Sequence, residues 1–239
     1  MIASLIRKSL AGFHAEQILD VGPGYADFSR ISARLTGGRH ITFIDSDRNV
    51  LQFQEVACRR AGFTVTSILF DMEQPATIPT DSFQLIHCQE VLEHLDRPEV
   101  LLGQLSAGLR SGGRIIVTVP SGSSERWLKF LNPDYMRNEP HGHVQEFSME
   151  DLSSLAERCG LRVVTLCPAQ PHYFLAHTWM ALSRMKVEGS TGRIVTGGIR
   201  GRIFHLILAC SGWIFRTTAP QIWSRIFPRN YFLVGERPR

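Results

Sequence analysis

Polar side chains fall at the ends of four successive apolar runs in the first half of the chain, a spacing that can seat a nucleotide-like cofactor. The first run, Ile18-Leu19-Asp20-Val21-Gly22-Pro23-Gly24, places an acidic residue and a glycine turn directly after an apolar strand. Glycines at a strand end let the backbone turn sharply and approach a ligand where a Cβ would intrude. The second run, His40 to Ile44, leads into Asp45, whose carboxylate would accept hydrogen bonds from both ribose hydroxyls if the glycine loop holds a nucleoside. Thr64 to Phe70 ends at Asp71, and Phe83 to Cys88 ends at Gln89-Glu90. Ligands of open α/β sheets bind outside the carboxyl ends of the strands, so the recurrence argues for a ligand site. A dinucleotide fingerprint wants a third glycine three residues after Gly24, where this chain has Asp27, and a nicotinamide cofactor therefore fits poorly.

The elements that would position these groups alternate strand and helix through the first 170 residues, in the manner of a doubly wound sheet. Asp96 is placed to cap a helix with Pro98 in its first turn, an apolar face of Leu101, Leu102, Leu105 and Leu109, and a stop at Gly112-Gly113. Ser148 and Asp151 form a capping-box start for a helix carrying Leu152, Leu155 and Cys159 and ending at Gly160, and strand six follows from Arg162 to Leu166. The connection Pro120 to Phe147 is too long to be empty and is expected to hold a short helix around Glu125 to Leu131 that covers the site. Met1 to Lys8 reads as a leading amphipathic helix, not a signal peptide.

Several ordered motifs resemble those of the class I S-adenosylmethionine (SAM) methyltransferases. Asp20-Val21-Gly22-Pro23-Gly24-Tyr25-Ala26 is similar to the family's acidic-x-Gly-x-Gly-x-Gly loop, with alanine in the last glycine place. Asp81 to Ile86 resembles its "sFDlI" strand, Glu90-Val91-Leu92-Glu93-His94-Leu95 its "evlEHl" stretch, Leu109 to Pro120 its "LkpGGrlvitvP" segment, and His143 to Ser148 its "HvreFt" approach. The resemblance covers residues 17 to about 168, with a short last piece from Tyr231 to Arg237, and points to the subgroup of ubiquinone-biosynthesis and cell-surface glycan and lipid methyltransferases. It implies a Rossmann-like doubly wound α/β sheet, mostly parallel with an antiparallel last strand. This chain adds about sixty residues between strands six and seven, expected to be a helical insertion. The expected division is a SAM-binding core over 1–169, an apolar and basic insertion over 170–230, and the last strand and tail over 231–239.

The same resemblance assigns Asp20 and the backbone of Gly22 and Gly24 to the methionine portion of SAM, Asp45 to the ribose, Asp71 with Met72 to the adenine edge, and Gln89-Glu90 to a position beneath the sulfonium. A hydroxyl acceptor must lose its proton as the methyl arrives, and histidine is suited to that near neutrality, which makes His94, His141 and His143 the candidate bases. Glu90, Glu93 and His94 would share one helical face and could converge on a divalent ion, as in ubiquinone-type enzymes with a similar Glu-x-x-Glu-His. A hydrogen-bond network at the helix start is the expectation, with no metal.

Composition bounds the setting. The chain of 239 residues, 44% hydrophobic, can bury one core with an elaboration, and its five cysteines form no CxxC pair, which fits a reducing cytoplasm. The net charge of +4 is unevenly spread: residues 1–183 hold 16 Lys and Arg against 20 Asp and Glu, and residues 184–239 hold 10 against 2. Ile203 to Phe215 is apolar around most of a helix, leaving a stripe of Arg202, His205, Ala209, Gly212 and Arg216. It is shorter than the ~20 residues a membrane crossing needs. Bordered by Arg200, Arg202 and Arg216 and followed by Trp223, Ile226 and Phe227, it suits either a lipid interface, through residues 200–227, or a lid or dimer helix. The expected activity is SAM-dependent O-methylation of a small or lipid-linked quinone, glycan or lipid acceptor, in the cytoplasm or at the inner face of the membrane, with a homodimer compatible. The alternatives are a nucleic-acid methyltransferase, disfavoured because the tail's arginines are interleaved with large apolar residues, and a non-catalytic SAM-fold partner subunit.

Overall fold

The computed structural model describes residues 2–69, 78–135, 142–185, 187–188, 193–194, 198–218 and 220–239. Its main sheet has seven strands: β1 (Gln17–Val21), β2 (His40–Asp45), β3 (Thr64–Leu69), β4 (Phe83–Gln89), β5 (Leu109–Pro120), β6 (Arg162–Ala169) and β9 (Asn230–Glu236). They lie in the order β3-β2-β1-β4-β5-β9-β6, all parallel except β9, which runs antiparallel to both of its neighbours. A separate pair, β7 (Val187–Glu188) and β8 (Arg193–Ile194), lies in the insertion. The chain winds outward from β1 to β3, then returns to start β4 on the other side of β1. The strand order therefore reverses between β1 and β4, where a crevice opens at the carboxyl ends.

Both faces of the sheet are buried, so consecutive strand residues serve opposite layers. Ile18, Leu85 and Ile116 pack with α1 (Ile2–Ser9), α2 (Phe28–Thr36) and α3 (Arg48–Arg60), through Ile6, Ala33 and Leu51. Leu19, Ile86 and Ile115 pack on the other side with α4 (Pro98–Gly108) and α6 (Met149–Arg158), through Leu102, Leu105 and Leu152. A third cluster joins α5 (Gly122–Leu131), α7 (Pro171–Leu182) and α8 (Gly198–Thr217) around Leu128, Tyr135, Met180 and Phe204. With α9 (Pro220–Ile226), α7 and α8 form the helical insertion between β6 and β9.

The capping box at Ser148 and Asp151 is present, with both reciprocal bonds made. The helix α4 departs from expectation at both ends. Its N-cap is Arg97, without a side-chain capping bond, and it stops at Gly108, four residues before Gly112. Sheet pairing overrides the helical periodicity there. Leu109 pairs with Phe83 of β4, and the Gly112 N–H bonds the Arg237 carbonyl at 2.9 Å. Gly113 lies so close to the Arg110 and Gln84 carbonyls that a Cβ would stand 2.8 and 3.1 Å from them, so the glycine pair is a strand irregularity and not a helix stop. In α8 the expected polar stripe is exposed over three of its residues, and the Arg216 side chain lies outside those described. Arg202, His205 and Ala209 are exposed and Gly212 is buried, while Leu206, Trp213 and Ile214 stand exposed beside them.

Candidate active site

The cofactor end is built from β1, β2 and the loop between β1 and α2. Gly22 and Gly24 both have positive φ, 64° and 51°, and the Gly22 N–H bonds the Ile44 carbonyl of β2 at 2.9 Å. No heavy atom lies within 4 Å of where a Cβ on Gly24 would stand, so the loop presents an open face to a ligand. Gln54 of α3, fully buried, donates through Nε2 to the carbonyls of Gly24 at 2.7 Å and Ala26 at 2.9 Å, and so fixes the curvature of the loop from behind. Arg30 donates to the other end of that amide at 3.3 Å and pairs with Asp27, which explains why an aspartate stands where a dinucleotide site would have glycine.

Two carboxylates face this turn. Asp20 is 4% exposed, and burial, reinforced by the nearby charge of Asp45, raises its pKa to about 7. Asp45, at the end of β2, is also held above the ordinary carboxylate range, first by burial; the Asp47 N–H, bonded to its Oδ1 at 2.8 Å, opposes the shift. Two desolvated carboxyl groups beside an open glycine turn, whose ionised forms are disfavoured until a cation arrives, suit a ligand that carries positive charge and hydroxyl donors, which is the chemistry of SAM. Asp71 and Met72, the expected adenine contacts, lie outside the described residues, as does His141.

At the end of β4 the backbone carries Gln89 and then Glu90, whose φ of 55° ends the strand abruptly. His87, fully buried, has its pKa driven down to about 3 by desolvation and is therefore neutral. Its Nδ1 accepts from Gln89 Nε2 at 3.0 Å, which leaves Nε2–H to donate to Ser32 at 2.9 Å and fixes the Gln89 side chain in place. The Glu90 carboxylate accepts from Thr118 Oγ1 of β5 at 2.7 Å and from Asn230 Nδ2 of β9 at 2.6 Å. Glu90 therefore does not share a helical face with Glu93 and His94. The residues after it form a 3-10 turn, Leu92–His94, and Glu90 is tied to the sheet instead.

Beyond Glu90 a buried polar network fills the end of the sheet. Glu125 of α5 accepts from Arg229 Nη1 at 2.9 Å and bonds His143 Nδ1 at 2.9 Å. Burial alone would raise its pKa, but Arg229 and His143 outweigh that and bring it down to about 2, so Glu125 is an anion. Arg229 also reaches the Tyr135 hydroxyl at 3.5 Å, and that hydroxyl bonds His177 Nδ1 of α7 at 2.7 Å. Burial holds His177 well below the ordinary histidine range. His143 packs edge-on against His94, with ring centroids 5.0 Å apart. Glu93, His94 and His143 each bring a ligand atom to within 4.8 Å of the others. Both Glu93 oxygens are buried without a hydrogen-bond partner among the described residues, and burial together with the Glu90 charge pushes its pKa well up. One carboxylate and two imidazoles suit a divalent ion, so the donor set that fits a metal includes His143 in place of Glu90.

Gln54, Thr118, Tyr135, Glu125, His177, Arg229 and Asn230 were not expected at the site. For Arg229 and Asn230 a signal existed: β9 is antiparallel, so the residues that begin it meet the carboxyl ends of β5 and β6, and Asn230 pairs with Pro120 and Ala169.

With this geometry in view, the likenesses to known proteins are consistent. Residues 2–166 match the model of a family described as a methyltransferase domain. The ubiquinone biosynthesis O-methyltransferase of Aeromonas salmonicida (strain A449) is 26% identical over 163 residues, 66% of this chain and 68% of that enzyme. Across the curated relatives considered, the matched length ranges from half to three quarters of the relative. The geranyl diphosphate C-methyltransferase of Streptomyces coelicolor A3(2), solved with Mg2+, geranyl diphosphate and S-adenosyl-L-homocysteine, has a TM-score of 0.62 at 13% identity, covering 99% of this chain and 79% of that one. The [4+2]-cyclase SpnF has a TM-score of 0.63 at 16% identity, covering 99% and 80%. One fold thus serves different chemistries, and those structural likenesses speak to the fold alone. On the family match, the seven-stranded sheet and the open glycine loop flanked by buried acids, this chain belongs to the methyltransferase-domain family of class I enzymes, and its cofactor is SAM.

Proposed function

We propose that the protein transfers a methyl group to a hydroxyl oxygen of a small-molecule or lipid-linked acceptor, of the quinone, glycan or lipid kind, with His143 as the general base. The observation that carries this reading is the Glu125–His143 pair. An anionic carboxylate can only accept, so Nδ1 of His143 carries the proton and Nε2, with no hydrogen bond among the described residues, can take one from an acceptor hydroxyl. His94, edge-on to that ring, shapes the same wall, and His141 remains a candidate outside the described residues. The likeness to O-methyltransferases supports oxygen as the atom methylated.

Bound SAM supplies a methyl on a sulfonium, an activated leaving group. The backbone at Gly22 and Gly24 with Asp20 holds the methionine portion, Asp45 takes the ribose hydroxyls, and Asp71 with Met72 takes the adenine edge. Gln89, oriented by His87, and Glu90, anchored by Thr118 and Asn230, hold a polar, negative surface beside the cationic centre. The segment after β5, with α5 and the 170–230 insertion, covers the acceptor side and excludes water. The enzyme works in the cytoplasm, at the inner face of the membrane for a lipid-linked acceptor, and as a monomer or homodimer; nucleic acid is disfavoured as a substrate.

The test is release of S-adenosylhomocysteine with a panel of phenolic, glycan and lipid hydroxyl acceptors, comparing wild type with His143→Asn. Turnover that falls at least about a hundredfold in the variant, with SAM affinity retained, supports the base. Unchanged turnover sinks it. A second reading is favoured by the unsatisfied Glu93 carboxylate: Glu93, His94 and His143 would hold a divalent ion, whose chemistry there would be polarisation of the acceptor oxygen. Activity lost on chelation and restored by Mg2+ would select that reading, because an Nε2 bound to metal cannot also take the proton.

A further inference from the structure

We propose that the exposed face of α8 and α9 is a docking surface for an anionic lipid bilayer. The helix α8 is apolar on two sides. One side is used by the protein itself: Phe204, Ser211 and Phe215 are buried, Phe204 lies in the cluster of Ala176 and Met180, and Ser211 Oγ donates to the His172 carbonyl at 3.0 Å. The other side faces solvent. Ile199, Leu206 and Trp213 follow one another at seven-residue spacing, which keeps them on one face of the helix, and are 70%, 63% and 68% exposed. In α9, Ile222 and Ile226 share a face and are 58% and 55% exposed. Large apolar side chains repeated along one helical face at that exposure are uncommon on a surface that meets only water.

Charge identifies the occupant. Arg200, Arg202 and Arg225 are exposed on the same two helices. Between Glu188 and Glu236 there are six arginines and no acidic residue, and of the six only Arg229 is spent inside, on Glu125, among the described residues. A second copy of the chain docked through this face would set like charges against each other with no carboxylate to neutralise them. A nucleic acid would answer the arginines and leave the isoleucines and leucine in water, since a single exposed Trp gives little to stack on. A bilayer with anionic headgroups answers both: aliphatic side chains enter the acyl boundary, Trp213 sits at the headgroup level, and the arginines meet phosphate. No helix among the described residues is long and apolar enough to cross a membrane, so the contact lies in the interface plane.

The surface is also tied to the site. Phe204, on the buried side of α8, has its ring centroid 6.4 Å from that of His177, which bonds Tyr135 and through it meets Arg229 and Glu125. This is the arrangement expected where a lipid-borne acceptor enters beside the insertion, a corollary that rests on the O-methylation reading; the docking surface itself does not depend on it.

The test uses the full chain in vesicle co-sedimentation, with phosphatidylcholine alone and with phosphatidylcholine containing about one third phosphatidylglycerol. Wild type is expected to bind the anionic vesicles at least about tenfold more tightly and to lose that preference in high salt. Leu206→Ser with Trp213→Ser, and separately Arg202→Glu with Arg225→Glu, should each weaken binding about tenfold. Titration of every variant with SAM keeps folding in view, and retained SAM affinity means that lost vesicle binding reports the surface. The proposal is overturned if wild type binds neither vesicle, if it binds both alike, if both double variants bind as wild type does, or if sedimentation shows a dimer that Trp213→Ser dissociates while vesicle binding is unaffected. SAM binding and hydroxyl methylation are read in separate assays, so their failure would leave the vesicle result standing and the reverse.

Discussion

The glycine loop and the histidine cluster stand at the same edge of one sheet and are anchored by opposite means. The loop is held locally: its backbone bonds the neighbouring strand, and one neutral side chain, Gln54, some thirty residues on, carries the rest. The cluster is held by buried charge drawn from distant parts of the chain. Glu125 and Arg229 are 104 positions apart, Glu90 and Asn230 are 140 apart, and both ions of the Glu125–Arg229 pair are nearly inaccessible to water. A locally anchored site can lose one side chain and keep its shape. A buried charge network fails as a unit, because each removed partner strands another in a low-dielectric interior.

The sharpest way to break the contrast is Arg229→Met, which removes the cation facing the buried Glu125 and leaves it only the His143 ring. It should cost about 3–5 kcal/mol in urea unfolding, and a loss of under about 1 kcal/mol would show the network to be dispensable. Asp20→Asn is next, with the opposite sign. The folded pKa of Asp20, about 7, stands above its ordinary 3.8, so the stability linked to its neutral form is fully present below about pH 4 and is lost as pH rises through about 7. An amide does not ionise, so the cofactor-free variant should exceed wild type at pH 8 by up to about 4 kcal/mol and lose most of that advantage at pH 4, while binding SAM less well. A flat difference across pH would remove burial as the cause. His143→Asn should raise the barrier to methyl transfer by about 3 kcal/mol, read as kcat, with little change in SAM affinity. Gln54→Ala should cost about 1–2 kcal/mol of stability, well below Arg229→Met, and equal costs would erase the distinction between the two anchoring modes. Smallest is Asp45→Ala, expected to weaken SAM by about 1 kcal/mol in calorimetric titration.

The glycine turn and the acids beside it were legible in the residues because their signals are contiguous. Asp20, Gly22, Gly24 and Asp45 sit at strand ends that apolar runs announce, and the structure brings them together at one turn. The helix signals were weaker where sheet pairing competed: Leu109 fits a helical face by spacing, yet it pairs with Phe83, and the stop at Gly112-Gly113 became a kink in β5. Glu90, Glu93 and His94 suggested one helical face, but a positive φ at Glu90 and a 3-10 turn redirect them.

The sequence by itself determined the alternation of strand and helix, the glycine turn with its acids and the basic, apolar insertion, since each rests on residues within one or two turns of each other, while the antiparallel direction of the last strand came from the family resemblance. Only the tertiary structure decided which histidine is held, and by what. His143 is held by Glu125 in α5, which Arg229 before β9 also binds, brought together by the reversal of one strand, and such a meeting leaves no periodic trace in the chain because loop length and strand order, not local propensity, create it.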